Sequence, residues 1–282
     1  ARECSGSPEA IATALGAALD DAFRGRPAAW ILATWVPDAD ETNPLSALAR
    51  RLDEGALQLF AGSRPDLDLR RVPSASDVIR YGGMLAQACV LSPERVLVGA
   101  LPGGDVPSLA PGGRARAHRP TDAPSRAARK LEEAFAWLGR APEASDTCVD
   151  LGAAPGGWCS VLMARRARVI AVDPAELASG IKGRRGLVHV KASAFNFAPE
   201  ERVDWLLCDM AWRPLEVAAL LAKWGRRHWA STLVANIKLP MRQRADFVAR
   251  VCRIVTEGGW QDVKARHLYH DREEVTLAGW RT

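Results

Sequence analysis

The residues best suited to chemistry lie in a glycine-rich segment near the middle of the chain. This segment reads Asp150-Leu151-Gly152-Ala153-Ala154-Pro155-Gly156-Gly157-Trp158. It follows an apolar stretch typical of a buried strand, and glycines at such a place let the backbone approach a ligand closely. Asp173 ends the next apolar stretch, where a carboxylate can accept hydrogen bonds from the two hydroxyls of a ribose. The spacing predicts a pocket for a ribose-containing ligand, and a tight turn without a ligand is the alternative.

The same loop discriminates between two kinds of nucleotide ligand. Gly152, Ala154 and Gly157 have a spacing loosely similar to the fingerprint of dinucleotide-binding proteins. Pro155, however, lacks the backbone N–H that a pyrophosphate would need. S-Adenosylmethionine has no phosphate and tolerates this loss. The loop therefore favours S-adenosylmethionine over a nicotinamide dinucleotide, which would make the chain an oxidoreductase.

A mostly parallel sheet must position these residues. In the second half of the chain, short apolar runs alternate with segments of helical spacing, which is typical of a parallel sheet covered on both faces. The predicted strands are residues 147–151, 168–173, 187–191, 203–210, 231–238, 261–268 and 274–280, and two of the helices are 214–224 and 242–255. The last two strands are close enough to pair as an antiparallel hairpin. The pattern predicts an α/β, Rossmann-like class I methyltransferase fold with a seven-stranded sheet.

The first part of the chain has a different pattern. Helices are predicted at residues 8–23 and 44–52, and strands at residues 28–36, 57–60 and 95–101. These elements predict a small α+β module over residues 1–101. Residues 102–124 are rich in Pro, Gly and Arg, which is typical of an extended basic linker. The sheet domain is then expected over residues 125–282.

Composition limits the possible partners and location. The formal net charge of +5 is compatible with a polyanionic partner, although a solvated basic surface is the alternative. The six cysteines lack any C-x-x-C pair, which argues against a zinc site and favours a reducing compartment. Because the sequence contains no long apolar run and no basic-then-apolar leader, a cytoplasmic protein without a membrane span is expected.

The glycine-rich loop and five further stretches carry a resemblance to a known family. Gly152–Trp158 resembles the G-x-x-P-G-G-[FW] loop of the FtsJ-like RNA ribose methyltransferases. The other stretches are similar to the RlmM branch of that family, which modifies a cytidine of large-subunit ribosomal RNA. They are residues 122–126, 130–135, 208–210, 236–241 and 268–276. The resemblance covers about residues 121–280 and implies methyl transfer from S-adenosylmethionine to a ribose 2′-hydroxyl of RNA, with a cytidine of 23S ribosomal RNA as the target.

The resemblance also implies a catalytic tetrad, which falls on Lys130, Asp209, Lys238 and Glu274. Lys238 is expected to accept the hydroxyl proton, with Lys130 as a neighbouring cation that favours this role and stabilises alkoxide charge. Asp209 and Glu274 would orient the lysines and the ribose, and no metal is needed. Glu273 is the neighbouring candidate, but on a strand its side chain should face away from Glu274.

The chain departs from the family in one cofactor contact. After the third strand, where the family carries an acidic residue that meets the adenine, this chain has Ser193, with Asn196 as the nearby alternative. The cofactor contacts are then expected from the loop residues 152–158, Asp173, Ser193 and Asp209. The N-terminal region is similar to part of the RNA-binding THUMP-like portion of the family. A binding protein that keeps the fold without catalysis is the competing interpretation.

Three remaining features bear on the RNA and on metals. Trp212 could either pack in the core or stack on a base. The basic residues of the linker could follow phosphates, with a solvated linker as the alternative; they are Arg114, Arg116, His118, Arg119 and Arg126. His267 and His270 lack the helical spacing of a zinc pair, so no metal site is predicted.

Overall fold

The computed structural model of the protein describes residues 1–23, 25–37, 44–106, 108–113, 124–271 and 273–281. The chain forms two compact units, Ala1–Ala115 and Arg116–Thr282. The boundary between them falls inside the segment predicted as a linker, so the domain limits at residues 101 and 125 stay a prediction. No helix in the described ranges is long and apolar enough to cross a membrane.

The first unit contains a four-stranded sheet with helices packed on it. Its strands are β1 (Arg2–Cys4), β2 (Trp30–Trp35), β3 (Met84–Ser92) and β4 (Arg95–Pro102). Its helices are α1 (Pro8–Phe23), α2 (Pro44–Ser63), α3 (Pro65–Asp68) and α4 (Ala75–Arg80), with a 3-10 turn at Pro111–Gly113. The strand order is β1-β4-β3-β2, and only β2 and β3 pair in parallel. The core includes Trp30 and Phe60, whose ring centroids lie 4.9 Å apart.

Two sequence predictions for this unit were wrong. The strand predicted at residues 57–60 is the last part of α2, because Leu52, Ala56 and Phe60 recur every four residues and all three are buried. The long strand β3 was not predicted. It is central in the sheet and buried on both faces, so it lacks the alternation that marks a half-exposed strand. The THUMP-like character of the unit stays a prediction.

The second unit is a three-layer α/β structure. Its strands are β5 (Thr147–Leu151), β6 (Arg168–Val172), β7 (Leu187–Val190), β8 (Val203–Cys208), β9 (Ala230–Lys238), β10 (Gln261–Arg266) and β11 (Glu274–Trp280). Its helices are α5 (Ala127–Leu138), α6 (Gly157–Ala164), α7 (Pro214–Arg226) and α8 (Arg244–Glu257). The strand order is β10-β11-β9-β8-β5-β6-β7. Strands β5 to β9 are parallel, and β11 pairs antiparallel with both β9 and β10, which confirms the predicted sheet with its terminal hairpin.

Two apolar clusters fill the space between this sheet and its helices. One involves α7 and α8 and contains Trp224 and Trp260, and the other involves α5 and α6 and contains Phe135 and Trp158. The chain order reverses beside β5, whose neighbours are β6 and β8. In open parallel sheets a ligand cleft forms at such a reversal, at the carboxyl ends of the strands. The loops after β5 and β8 therefore border the expected site.

Candidate active site

The loop after β5 can adopt its path only because of its glycines. Gly152 has a φ of 76°, and Gly156 has a φ of 107°. A Cβ on Gly152 would lie 2.6 Å from Cγ of Met210, which belongs to the loop after β8. A larger residue at this position would therefore clash and strain the backbone. The two loops approach each other closely at the head of the sheet.

Asp173 joins the end of β6 to this loop. Its Oδ2 accepts a hydrogen bond from the Ala154 N–H at 3.0 Å, and its Oδ1 accepts one from the Ala175 N–H at 2.8 Å. A carboxylate offers about four acceptor sites, so each oxygen can still accept a hydroxyl. This is the arrangement expected for a ribose-binding carboxylate.

A cavity of about 330 Å³ opens between the strand ends. It is lined by Gly152, Ala154, Val172, Asp173, Pro174, Ser193, Ala194, Phe195, Asp209, Met210, Ala211 and Trp212. Five of the predicted cofactor residues are on this wall. The other five, Ala153, Pro155, Gly156, Gly157 and Trp158, form the rest of the loop. Trp158 is buried and donates from Nε1 to the Ala127 carbonyl at 3.0 Å, so it supports the loop from behind.

The wall residues that follow β7 and β8 are partly aromatic. Trp212 is 51% exposed, so it does not belong to the core, and its ring centroid lies 5.9 Å from that of Phe195. Its Nε1 donates to Glu216 at 2.8 Å. Ser193 is exposed beside them and places no carboxylate on this wall. The cavity thus combines an apolar side with the Asp173 carboxylate, which suits a nucleoside.

Two lysines converge on one carboxylate oxygen beside this cavity. Lys130 Nζ lies 2.7 Å from Glu274 Oε1, and Lys238 Nζ lies 2.9 Å from the same oxygen. Asp209 Oδ1 lies 3.9 Å from Lys130 Nζ. The register of β9 and β11 produces this meeting, because Glu274 is directly opposite Lys238. The structure therefore brings together all four residues of the implied tetrad.

The electrostatic environment differs between the two carboxylates. Burial raises the pKa of Asp209, and the nearby Lys130 offsets only part of that effect. Burial also acts to raise the pKa of Glu274, but its contacts with Lys130 and Lys238 outweigh burial and leave the pKa below its usual value. Glu274 is thus held ionised between two ammonium groups. The Lys238 side chain is 44% exposed against 15% for Lys130, so Lys238 is the more accessible to a substrate.

A chain of buried polar groups supports the tetrad from behind. Asn236 donates from Nδ2 to Asp209 Oδ1 at 3.2 Å. The Thr276 hydroxyl lies 2.8 Å from Asn236 Oδ1 and 3.1 Å from Asp271 Oδ2. Sequence reasoning did not single out these residues. The available signal was that Asn236 lies two residues before Lys238, and therefore on the same face of β9.

Glu133 was also missed, although it fixes the turn that leads into β11. Its two carboxylate oxygens accept hydrogen bonds from the N–H groups of Tyr269 and His270, at 2.7 and 2.9 Å. Burial raises the pKa of Glu133, while these two amides act in the opposite direction. Glu133 lies one helical turn after Lys130 on α5, so one face of α5 contacts both the tetrad and the turn.

The other candidate residues have varied positions. The Glu273 side chain is 68% exposed and lies 3.5 Å from Arg244, away from the two lysines. Arg126 is exposed at the start of α5, whereas Arg114, Arg116, His118 and Arg119 lie outside the described residues. In the part of the chain that the structure describes, no group of three or more His, Cys, Asp or Glu side chains could hold a metal ion.

The fold and the site define the class of this protein as an α/β methyltransferase with a mixed sheet. A family model described as "FtsJ-like methyltransferase" matches residues 123–240. The chain is 36% identical over 279 residues to "Ribosomal RNA large subunit methyltransferase M" of Halorhodospira halophila, a match covering 96% of this chain and 74% of that protein. The chain belongs to the family of these methyltransferases.

Two further relatives carry the same name. The protein of Alkalilimnicola ehrlichii is 42% identical over 181 residues, which is 61% of this chain and 49% of that protein. The protein of Thauera aminoaromatica is 39% identical over 176 residues, which is 59% of this chain and 48% of that protein. The matched region thus spans about half the length of these two relatives.

Proposed function

We propose that this chain transfers the methyl group of S-adenosylmethionine to a ribose 2′-hydroxyl of large-subunit ribosomal RNA. The observation that carries the proposal is the meeting of Lys130 and Lys238 on Glu274 Oε1, at 2.7 and 2.9 Å. A paired-lysine cluster of this kind can handle the proton and the charge of an attacking hydroxyl. The nucleoside-sized cavity beside it supplies the place for the methyl donor.

The residues present fit S-adenosylmethionine. Asp173 would accept the ribose hydroxyls, because both of its oxygens keep acceptor capacity beyond their backbone contacts. Gly152 and Ala154 would lie against the amino-acid side, and Ser193, Phe195 and Met210 against the adenine. The cofactor supplies an electrophilic methyl group bonded to a sulfonium sulfur. The reaction requires no metal ion.

Within this proposal, the side chains divide the work of proton transfer. Lys238, in its uncharged form, accepts the proton of the 2′-hydroxyl at Nζ as the ribose oxygen attacks. Lys130 remains an ammonium and stabilises the charge that develops on that oxygen. Glu274 fixes the spacing of the two lysines, and Asp209, held by Asn236, directs Lys130 toward the substrate.

The substrate assignment follows the names of the relatives and the family resemblance. It includes a cytidine of 23S ribosomal RNA as the target, a THUMP-like role in RNA positioning for the first unit, and a cytoplasmic location. A catalytically silent protein that binds RNA or S-adenosylmethionine is the alternative. The paired lysines favour catalysis, because a silent protein has no need to hold two cations on one buried carboxylate.

The test is methyl transfer from labelled S-adenosylmethionine to 23S ribosomal RNA, with the product nucleoside identified. Wild type is compared with Lys238→Ala and with the control Lys264→Ala, which alters an exposed lysine paired with Asp262. We expect a 2′-O-methylated cytidine from wild type and control, and a loss of at least about 100-fold in rate for Lys238→Ala. Near-normal turnover by Lys238→Ala would contradict the role of Lys238. Cofactor binding without any RNA labelling by wild type would favour the silent protein.

A further inference from the structure

A cluster of exposed arginines lies at the amino ends of β6 and β7, at the edge of the sheet opposite the cavity. Its members are Arg166, Arg168, Arg184 and Arg185. The two contributing segments are in contact, because the Val169 N–H donates to the Gly186 carbonyl at 2.8 Å. This arginine cluster therefore concentrates four positive charges on one small surface.

The backbone at Arg166 favours another residue. Arg166 follows the C-cap of α6 and has a φ of 62°. Its N–H donates to the Met163 carbonyl at 2.9 Å, and the Ala167 N–H donates to the Leu162 carbonyl at 3.3 Å. This is the Schellman pattern of a helix end, in which the left-handed position is usually glycine. An arginine here costs local stability and suggests a use for the side chain.

The second pair of arginines is displayed by a turn. Gly183 and Gly186 enclose Arg184 and Arg185, and both glycines have positive φ values, 75° and 85°. The turn closes with a hydrogen bond from the Leu187 N–H to the Arg184 carbonyl at 3.2 Å. All residues from 182 to 186 are exposed. The turn thus projects two neighbouring guanidinium groups into solvent.

No carboxylate neutralises the cluster within the described ranges of the chain. Basic residues next to it are paired, since Arg165 binds Glu132 at 2.6 Å and Lys182 binds Glu176 at 3.0 Å. The four arginines of the cluster form no ion pair among the described residues.

The carboxylate at the start of the neighbouring strand is already engaged. Asp146 Oδ2 accepts hydrogen bonds from the Glu143 N–H and from Trp205 Nε1, both at 2.9 Å. Four uncompensated charges at close range repel one another unless an anionic partner binds.

We propose that the arginine cluster binds backbone phosphates of the same RNA that enters the active site. The inference rests on the proposed function. Guanidinium groups bind phosphate oxygens well, and contacts of this kind position an RNA without reading its sequence. The five residues of β6 separate the cluster from Asp173 by roughly 16 Å. The bound phosphates therefore belong to nucleotides several positions away from the methylated ribose.

The test compares Arg184→Gln/Arg185→Gln with the control Arg250→Gln/Arg253→Gln, which removes two exposed charges from α8. Binding of a 23S ribosomal RNA fragment is measured at several salt concentrations, together with methyl-transfer kinetics. For the cluster variant, the slope of log affinity against log salt should fall by about 1.4, as expected for two lost phosphate contacts. The KM for RNA should rise several-fold, while kcat at saturating RNA and the Kd for S-adenosylmethionine stay at wild-type values.

Two outcomes would overturn the inference: wild-type slope and KM in the cluster variant, or an equal loss in the control. A wild-type protein that binds RNA but transfers no methyl group would instead overturn the proposed function, and the slopes would still decide the role of the cluster. Arg166→Gly separates binding from folding. Glycine relieves the left-handed backbone, so Tm should rise by about 2–4 °C while RNA binding weakens. Unchanged RNA binding in this more stable variant would also contradict the inference.

Discussion

At the scale of single residues, the site depends on one buried carboxylate that two cations share. Lys130 and Lys238 would repel each other at this separation, but Glu274 lies between them and contacts both. Its side chain is only 5% exposed, so water contributes little to this balance. The arrangement positions two ammonium groups at known places before any substrate arrives, which is the electrostatic preorganisation that charge-generating reactions require.

A second buried carboxylate, Asp150, should make the stability of the protein depend on pH. Its Oδ2 accepts a hydrogen bond from the Cys159 thiol at 3.1 Å, and its Oδ1 has no hydrogen-bond partner. Burial raises the pKa of Asp150 from 3.8 to about 7, and the charges of Asp209 and Asp173 add to the effect. Between pH 4 and pH 7 the unfolded chain is ionised at Asp150 while the folded protein keeps the proton. The free energy of unfolding should therefore fall as pH rises through this window.

Urea unfolding at pH 5, 6, 7 and 8 tests this expectation. Wild type should lose up to about 1.4 kcal/mol per pH unit between pH 5 and pH 7 relative to Asp150→Asn, because the amide does not titrate. Asp262→Asn, at an exposed residue, serves as the control and should follow wild type. Parallel stability curves for wild type and Asp150→Asn would contradict the assigned pKa.

At the scale of elements, α5 links the tetrad to the turn before β11. Lys130 contacts Glu274, and Glu133, on the next turn of the helix, accepts the N–H groups of Tyr269 and His270. Glu133→Gln would leave one of these buried N–H groups facing an amide N–H₂. We expect a loss of about 1–3 kcal/mol in the free energy of unfolding. Because Glu133 positions the turn that precedes Glu274, kcat should also fall at temperatures where the variant is folded.

The matched control is Glu132→Gln on the same helix. Glu132 pairs with Arg165 and its side chain is 27% exposed, so its loss should cost less than about 1 kcal/mol and leave kcat unchanged. A positioning role for Glu133 predicts a lower kcat with an unaltered Kd for S-adenosylmethionine. If Glu133→Gln is destabilised but keeps wild-type kcat, Glu133 serves stability alone.

Elements were predictable where the sequence contains an uninterrupted apolar run between breakers. The strands at Thr147–Leu151 and Glu274–Trp280 coincide with their predicted limits for this reason. The error at residues 57–60 arose because a four-residue apolar segment fits a strand or a helix equally well when read alone. The preceding buried positions Leu52 and Ala56 resolve the choice, since they continue the helical period.

At the scale of the whole molecule, the sequence indicated the site but not its supports. The loop after β5, Asp173 and Asp209 could be located because each follows an apolar strand, and parallel strands end at a common edge. The partners of Asp209 and of the turn at Tyr269 come from segments far away in sequence, Asn236 and Glu133. No local pattern specifies such contacts, because they depend on strand order and helix packing.

Cofactor binding provides the test at this scale, because the cavity residues all belong to the second unit. S-Adenosylmethionine at 100 times its Kd should stabilise the folded protein by about 2.7 kcal/mol, which raises Tm by about 5–11 °C for a domain of this size. If the two units melt separately, only one transition should move. Asp173→Asn should reduce the shift, while the exposed control Asp262→Asn should keep it. A shift with a nicotinamide dinucleotide and none with S-adenosylmethionine would contradict the cofactor assignment, because the proline in the loop after β5 removes an amide that a pyrophosphate would need.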